Sequence, residues 1–282
     1  PLNPRLIYCA ITGFGQDGPS AHLPGYDTMI QAQGGIMSIT GAADGEPSKV
    51  GVAIADVTTA LFACHAMLAA LHHRERTGEG QFIDVALFDT QLAWLINVAH
   101  NHFATGQTPG RYGNAHANLI PYQTFQTAVG LIMLAIGSDA QFRRFCEGAG
   151  RADLWSDGCF QNNAGRLANR TELEAKLGDL MAGRKTAVWL DLLQQLGIPA
   201  SPINDIPTAL NHPQATHRRM VQEVPHPVAG NTQQLGPVAK LSATPPTIRT
   251  APPLLGADNT AVLQSLGYDN EEIEAFREAG TI

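Results

Sequence analysis

Charge is scarce in this chain. Only 15% of its 282 residues are Asp, Glu, Lys or Arg, and the 25 acidic residues outnumber the 18 basic ones. A low charge fraction beside 44% hydrophobic residues excludes a disordered chain and a coiled coil. A formal net charge of −7 argues against a nucleic-acid partner, which would call for a basic face. Cysteine is sparse as well. Cys9, Cys64, Cys146 and Cys159 lie far apart, form no CxxC pair and have no histidine at metal-ligand spacing. They read as isolated small hydrophobes in a reducing compartment, the cytoplasm or, in a eukaryote, the mitochondrial matrix. No uninterrupted apolar run reaches the roughly 18 residues of a membrane helix, so no membrane partner is expected. No GxSxG, P-loop, GxGxxG or HExxH occurs, and the ten histidines form no ligand cluster, so no metal site is expected.

Glycine (28) and proline (18) are plentiful and mark many turns. The run Leu6–Ile11 has the continuous apolar character of a strand covered on both faces. Because the chain enters this run almost at once, an upstream region is expected to be missing. Residues 13–25 form a glycine- and proline-rich loop, and 26–38 a helix broken near Gly34-Gly35. The strongest helix signal spans 57–74, rich in Ala and Leu, basic in its last turn and stopped by Gly78 and Gly80. Residues 81–87 alternate as a strand, and 88–103 form another helix. A hairpin turning at Gly130 is expected over 121–137. Helices are expected near 139–148, 171–182 and 186–196, a polar helical stretch over 203–221, a proline-rich extended segment over 222–255, and an amphipathic helix in 257–279. The pattern is α/β, in three parts: 1–105, a small inserted α/β domain at 112–205, and 206–282 as a connector returning to the large domain.

Asp56 stands where an N-cap would stand, before the strongest helix. Free backbone N–H groups and the positive end of the dipole gather there. A carboxylate in that place can act as a nucleophile, and the same donors can stabilise an oxyanion during acyl transfer. The alternative is that Asp56 only caps the helix.

Several segments together resemble the family III CoA-transferases, the formyl-CoA transferase and carnitine CoA-transferase (CaiB/BaiF) group. They are GFGQDGPSAHLPGYDTMIQAQGGIMSITG (13–41), GVAIADVTTALFACHAMLAALHHRERTGEGQFIDVAL (51–87), RYGNAHANLIPYQTF (111–125), GIPASPINDI (197–206) and PPLLGADNTAVLQSLGYDNEEIEAFREAGTI (252–282). They stand in the family's order and cover essentially the whole chain. The resemblance implies a Rossmann-like large domain with a small inserted α/β domain, two chains interlocked as rings in a homodimer, and a longer N-terminal region than this chain has. It places the family's catalytic aspartate on Asp56, in the ADxxT context. Coenzyme A and acyl-CoA are implied as substrates, with no permanently bound cofactor.

Among relatives of the same fold, the α-methylacyl-CoA racemases are implied to carry a histidine thirty residues before the shared aspartate, where this chain has Tyr26, and a glutamate that falls on Asp139. Tyr26 matches the transferases instead. Tyr26 and Asp27 are expected to line the acyl site, and Gly34 and Gly35 to admit CoA or a loop. Gly137-Ser138-Asp139 occupies the place of a glycine-rich loop in some relatives, without their run of four glycines. RYGNAHANLIPYQTF is most similar to the branch that pairs succinyl-CoA with a C4–C6 dicarboxylate. Arg111, Asn114 and His116 are the candidates there for the far carboxylate, unless they form a linking turn. A racemase and a non-catalytic CoA-binding subunit are the alternatives.

Overall fold

The computed structural model describes residues 3–282. Two compact units make up the chain, one ending at Ile203 and the other running Asn204–Ile282. The first holds two separate hydrophobic cores.

Its opening part runs β1 (Tyr8–Thr12), α1 (Asp27–Gln33), α2 (Ile36–Ile39), α3 (Ile54–Thr77), β2 (Phe82–Ala86), α4 (Leu87–Ala93) and α5 (Ile96–Thr105). β1 and β2 pair in parallel, Tyr8 opposite Phe82 and Thr12 opposite Ala86. A parallel pair needs a crossover, and α3 lies in it. Nothing inside Ile54–Thr77 interrupts α3, which has neither glycine nor proline. It stops at Gly78, whose φ of 84° suits glycine and whose N–H reaches the Arg74 carbonyl at 2.8 Å. The buried side of α3 is made of Ala55, Thr58, Thr59, Ala63 and Ala70. These small side chains let α1, α4 and β2 pack closely against it. Val57, Leu61, Phe62 and Leu68 are exposed on its other side.

By length and composition α3 is apolar enough to cross a membrane, although no uninterrupted apolar run within it reaches 18 residues. Asp56, the threonines and the histidines interrupt its apolar run without removing its apolar average. The helix expected over 88–103 is two helices. At the break the ladder tightens, with Trp94 N–H directed to Thr90 and Gln91 and Leu95 N–H to Leu92.

The second core belongs to β3 (Tyr122–Gln126), β4 (Leu131–Ala135), α6 (Asp139–Ala149), α7 (Ala152–Ser156), α8 (Asn163–Ala168), α9 (Arg170–Ala182), α10 (Thr186–Gln195) and β5 (Ala200–Pro202). The strands form an antiparallel sheet in the order β3-β4-β5, with Tyr122 opposite Ala135 and Leu134 opposite Ala200. Phe125, Ile132, Leu134, Phe142, Phe145, Trp189 and Leu193 fill the space between sheet and helices. The indole N–H of Trp189 donates to the Met181 carbonyl at 2.9 Å, which satisfies its one polar atom in the core.

The unit from Asn204 contains α11 (Ile206–Leu210), α12 (Pro213–His217), the hairpin β6 (Val221–His226) and β7 (Gly230–Leu235), α13 (Asn259–Ser265) and α14 (Asn270–Glu278). β6 and β7 pair with Val221 opposite Leu235. Asp269 and Glu272 form a reciprocal capping box at the start of α14.

Candidate functional site

Asp56 is the third residue of α3, one turn later than an N-cap. The cap position is held by Ala53, which has no side chain to bond with. The capping expected of Asp56 is done from another helix. Asp27, the first residue of α1, accepts the Ala55 N–H on Oδ1 at 2.8 Å. Its Oδ2 accepts from Gln31 Nε2 at 2.6 Å. Gln31 is 0% exposed, and its Oε1 accepts the Val50 N–H at 2.8 Å. Three donors that helix formation and burial would strand are thus satisfied by two residues one turn apart on α1.

The consequence falls on Asp56. Its side chain is exposed and caps nothing in its own helix. Of the first N–H groups of α3, that of Ile54 goes to the Val52 carbonyl and that of Ala55 to Asp27. The N–H of Asp56 itself has no partner among the described residues. A solvent-facing carboxylate therefore sits beside an unengaged donor at the positive end of a 24-residue helix.

Tyr26 comes directly before Asp27, and Asp56 directly follows Ala55. The Asp27–Ala55 hydrogen bond therefore brings Tyr26 and Asp56 to one corner of the fold. Tyr26 is 72% exposed and takes the N-cap position of α1, where its carbonyl accepts from Ile30 N–H at 3.0 Å. The loop delivering it is fixed by a backbone crossing. A Cβ on Gly13 would lie 2.6 Å from the Gly25 Cα, which only a glycine pair permits. The carbonyl of Gly13 also accepts from Phe88 N–H at 3.0 Å.

Gly34 and Gly35 lie at the far end of α1. Gly34 is buried, and a Cβ there would come 2.4 Å from Gln91 Cγ. Its smallness serves the contact between α1 and α4. Gly35 has φ 88° and turns the chain into α2. It also lines an apolar cavity of about 460 Å³ with Leu92, Leu95 and Phe103.

Arg111, Asn114 and His116 fall in the segment between α5 and β3. The Arg111 guanidinium donates to three carbonyls, those of Ala42 (3.1 Å), Ser38 (3.5 Å) and Gly45 (2.5 Å). Gly113 N–H reaches the Gly41 carbonyl at 3.1 Å. Together they hold the loop that leads from α2 towards α3. Asn114 Nδ2 donates to Thr124 Oγ1 at 3.3 Å. His116 stacks on Tyr122 with centroids 5.3 Å apart, and its Nδ1 accepts the Asn118 N–H at 3.0 Å. That contact assigns the proton of a neutral ring to Nε2. His116 lines a cavity of about 550 Å³ with Asn97, Asn101, Tyr112 and Asn118. Asp56 is not in the lining of either cavity. Asp139 is engaged elsewhere, pairing at 2.8 Å with the buried Arg166, and Ser138 caps α6.

Tyr26 and Asp56 thus each stand one residue from the Asp27–Ala55 hydrogen bond, whereas Arg111, Asn114 and His116 share the segment before β3, of which Arg111 is bonded to Ser38 of α2 and to the loop that follows it. Gln31 is the residue that sequence reasoning missed. Its signal was the i, i+4 spacing from Asp27, which puts both on one helix face.

The described residues thus combine an α/β fold with one exposed carboxylate in the first turn of its longest helix, whose start is capped from another helix. The chain is a member of CoA-transferase family III, whose sequence model matches residues 1–259. It is 39% identical to succinyl-CoA:glutarate CoA-transferase of Mus musculus over 100% of this chain and 65% of the relative. It is 44% identical to succinate–glutarate CoA-transferase of Agrobacterium fabrum over 77% of this chain and 54% of that one. The chain thus spans less than two thirds of the length of these relatives. Among solved structures, a CaiB/BaiF family protein from Brucella suis superposes with a TM-score of 0.82 at 40% identity, covering 94% of this chain and 69% of the other.

Proposed function

We propose that this protein transfers coenzyme A from an acyl-CoA donor, succinyl-CoA in the first instance, to a C4–C6 dicarboxylate, with Asp56 as the nucleophile. The observation that carries this reading is that Asp56 stands exposed and unbonded at the start of α3 while Asp27 does the capping. The names of the mouse and Agrobacterium relatives support the choice of substrates.

The steps balance without an external base. The Asp56 carboxylate attacks the thioester carbonyl of the donor, forming an aspartyl–acyl anhydride and releasing CoA thiolate. The thiolate attacks the Asp56 carbonyl of the anhydride, giving an aspartyl–CoA thioester and the free donor acid. The acceptor carboxylate then displaces the thiolate and forms a second anhydride. Attack of the thiolate on its acceptor carbonyl yields the new acyl-CoA and returns Asp56 as carboxylate. Thioester energy is held in anhydrides, provided that water is kept out. The unengaged Asp56 N–H is a donor for charge developing on the adjoining oxygens.

Of the three candidates for the far carboxylate, His116 is the one we retain, because it lines a cavity whereas the guanidinium of Arg111 is committed to carbonyls. Residues 112–205 act in this reading as the inserted domain, and the enzyme works as a homodimer. A racemase would need an acid and a base across the α-carbon. Tyr26 at the histidine position and Asp139 tied to Arg166 speak against it.

Acyl exchange read by mass spectrometry is the test. The protein in its full length is mixed with succinyl-CoA and a panel of dicarboxylates, beside Asp56→Ala and His116→Ala. A new acyl-CoA is expected from the parent, with a loss of at least about 10³-fold in Asp56→Ala. His116→Ala is expected to raise KM for dicarboxylate acceptors and leave monocarboxylate acceptors unchanged. Undiminished exchange by Asp56→Ala would refute the nucleophile, and deuterium uptake at the α-carbon without exchange would point to the racemase.

A further inference from the structure

We infer that Asp27 and Gln31 are positioning residues that fix the Asp56 carboxylate and leave it free to react, an inference that rests on the reading of Asp56 as nucleophile. The argument is one of hydrogen-bond polarity. Val50 N–H can only donate, so the Gln31 atom facing it must be the amide oxygen. The amide nitrogen of Gln31 is then fixed as a donor towards Asp27. On the other side of Asp27 the Ala55 N–H also only donates. The group at position 27 must therefore accept on both of its atoms, which a carboxylate does and a carboxamide cannot.

The surroundings make this polarity consequential. Gln31 is 0% exposed and Ala55 1%, so an unmatched donor here could not turn to water. The network holds the chain at Val50 and at Ala55, on both sides of the turn into α3. Asp56 is the next residue, and its direction follows from the backbone at Ala55. Without an outside acceptor, the carboxylate nearest the first turn of α3 is that of Asp56 itself, which would fold back onto its own helix as a cap. Asp27 thus keeps the nucleophile in place and also keeps it from being consumed as a cap.

The test uses two substitutions whose combined effect is expected to be smaller than that of Asp27→Asn alone. Asp27→Asn keeps the shape but sets a donor against a donor. Gln31→Glu alone places two carboxylates together in a buried site. Asp27→Asn with Gln31→Glu reverses the hydrogen bond between the two positions. The new carboxamide oxygen at position 27 accepts from Ala55, and its amide nitrogen donates to the new carboxylate at position 31. That carboxylate still accepts from Val50. The net charge is unchanged. The full-length protein is assayed for succinyl-CoA exchange, with Asp56→Ala in parallel. Asp27→Asn is expected to lower kcat about 10- to 100-fold while KM for both substrates stays within about twofold. The double variant is expected to recover to within about threefold of the parent, and to fold even if Asp27→Asn does not. A raised KM with unchanged kcat in Asp27→Asn would overturn the inference in favour of substrate contact. So would a double variant no better than the single one, or one that does not fold. Exchange retained by Asp56→Ala would instead overturn the underlying reading of Asp56.

Discussion

At the scale of single residues, the proposed chemistry rests on a division of labour between two aspartates. Asp56 and Asp27 are both near the start of α3, yet only Asp27 is hydrogen-bonded into it. The ADxxT context and the position before a strong helix singled out Asp56 in the sequence as a candidate. They misassigned its local role, because a cap supplied from a different helix leaves no mark in the α3 sequence. The thiols show the same separation of reactive from inert. Cys146 is buried in the second core, and burial pushes its thiol up to about 12. The nearby Asp157 raises the thiol of the exposed Cys159. Iodoacetamide at pH 8 is therefore expected to modify the exposed Cys64 before Cys159, and to leave Cys146 untouched until the protein unfolds. Peptide mass mapping over time reads this, and early loss of Cys146 would contradict the packing. The sign of the linkage follows. The folded thiol is a weaker acid than an unfolded one at about 8.5, so its contribution to stability is complete below that pH and is lost as pH rises towards about 12.

At the scale of elements, glycine positions set how closely helices meet. The break between α1 and α2 was visible as Gly34-Gly35, but its purpose was not. The two glycines were expected to admit CoA or a loop; the structure adds that Gly34 leaves room for Gln91 of α4. Sequence spacing shows that a glycine breaks a helix, and not which neighbour fills the space where a Cβ would stand. Gly34→Ala is expected to destabilise the protein by about 1–3 kcal/mol through overpacking. Urea unfolding with an unchanged m value measures it, and a neutral or stabilising effect would show that α1 and α4 can move apart freely. Elements with regular periodicity, such as α3, α6, α9 and the β3–β4 hairpin, were legible to within a few residues. Those that were missed lack such a signal. α7 and α8 have only 5 and 6 residues, β5 has 3, and β7 reads GNTQQL, without the β-branched and aromatic residues that mark strands. They form because the pairing and packing partners are already in place.

At the scale of the whole molecule, the α/β character followed from alternating patterns and turn clusters. The first unit holds two cores, each with its own set of side chains, and ends at Ile203. The connection between the two candidate groups was not legible. Arg111 lies 55 residues after Asp56 in sequence, yet it holds the loop that leads into α3. Only folding makes it a neighbour. What unites these parts is the claim that oxygen and acyl groups pass through the Asp56 carboxylate. Isotope transfer tests it most directly. With the acceptor dicarboxylate labelled in its carboxyl oxygens by oxygen-18, the second anhydride has a labelled bridging oxygen. Thiolate attack on the acceptor carbonyl leaves that oxygen on Asp56. After a single turnover in unlabelled water, the proteolytic peptide containing Asp56 is expected to gain one oxygen-18, and after many turnovers up to two, with none in peptides containing Asp27. An Asp56 peptide without label, alongside product formed at the normal rate, would contradict the account.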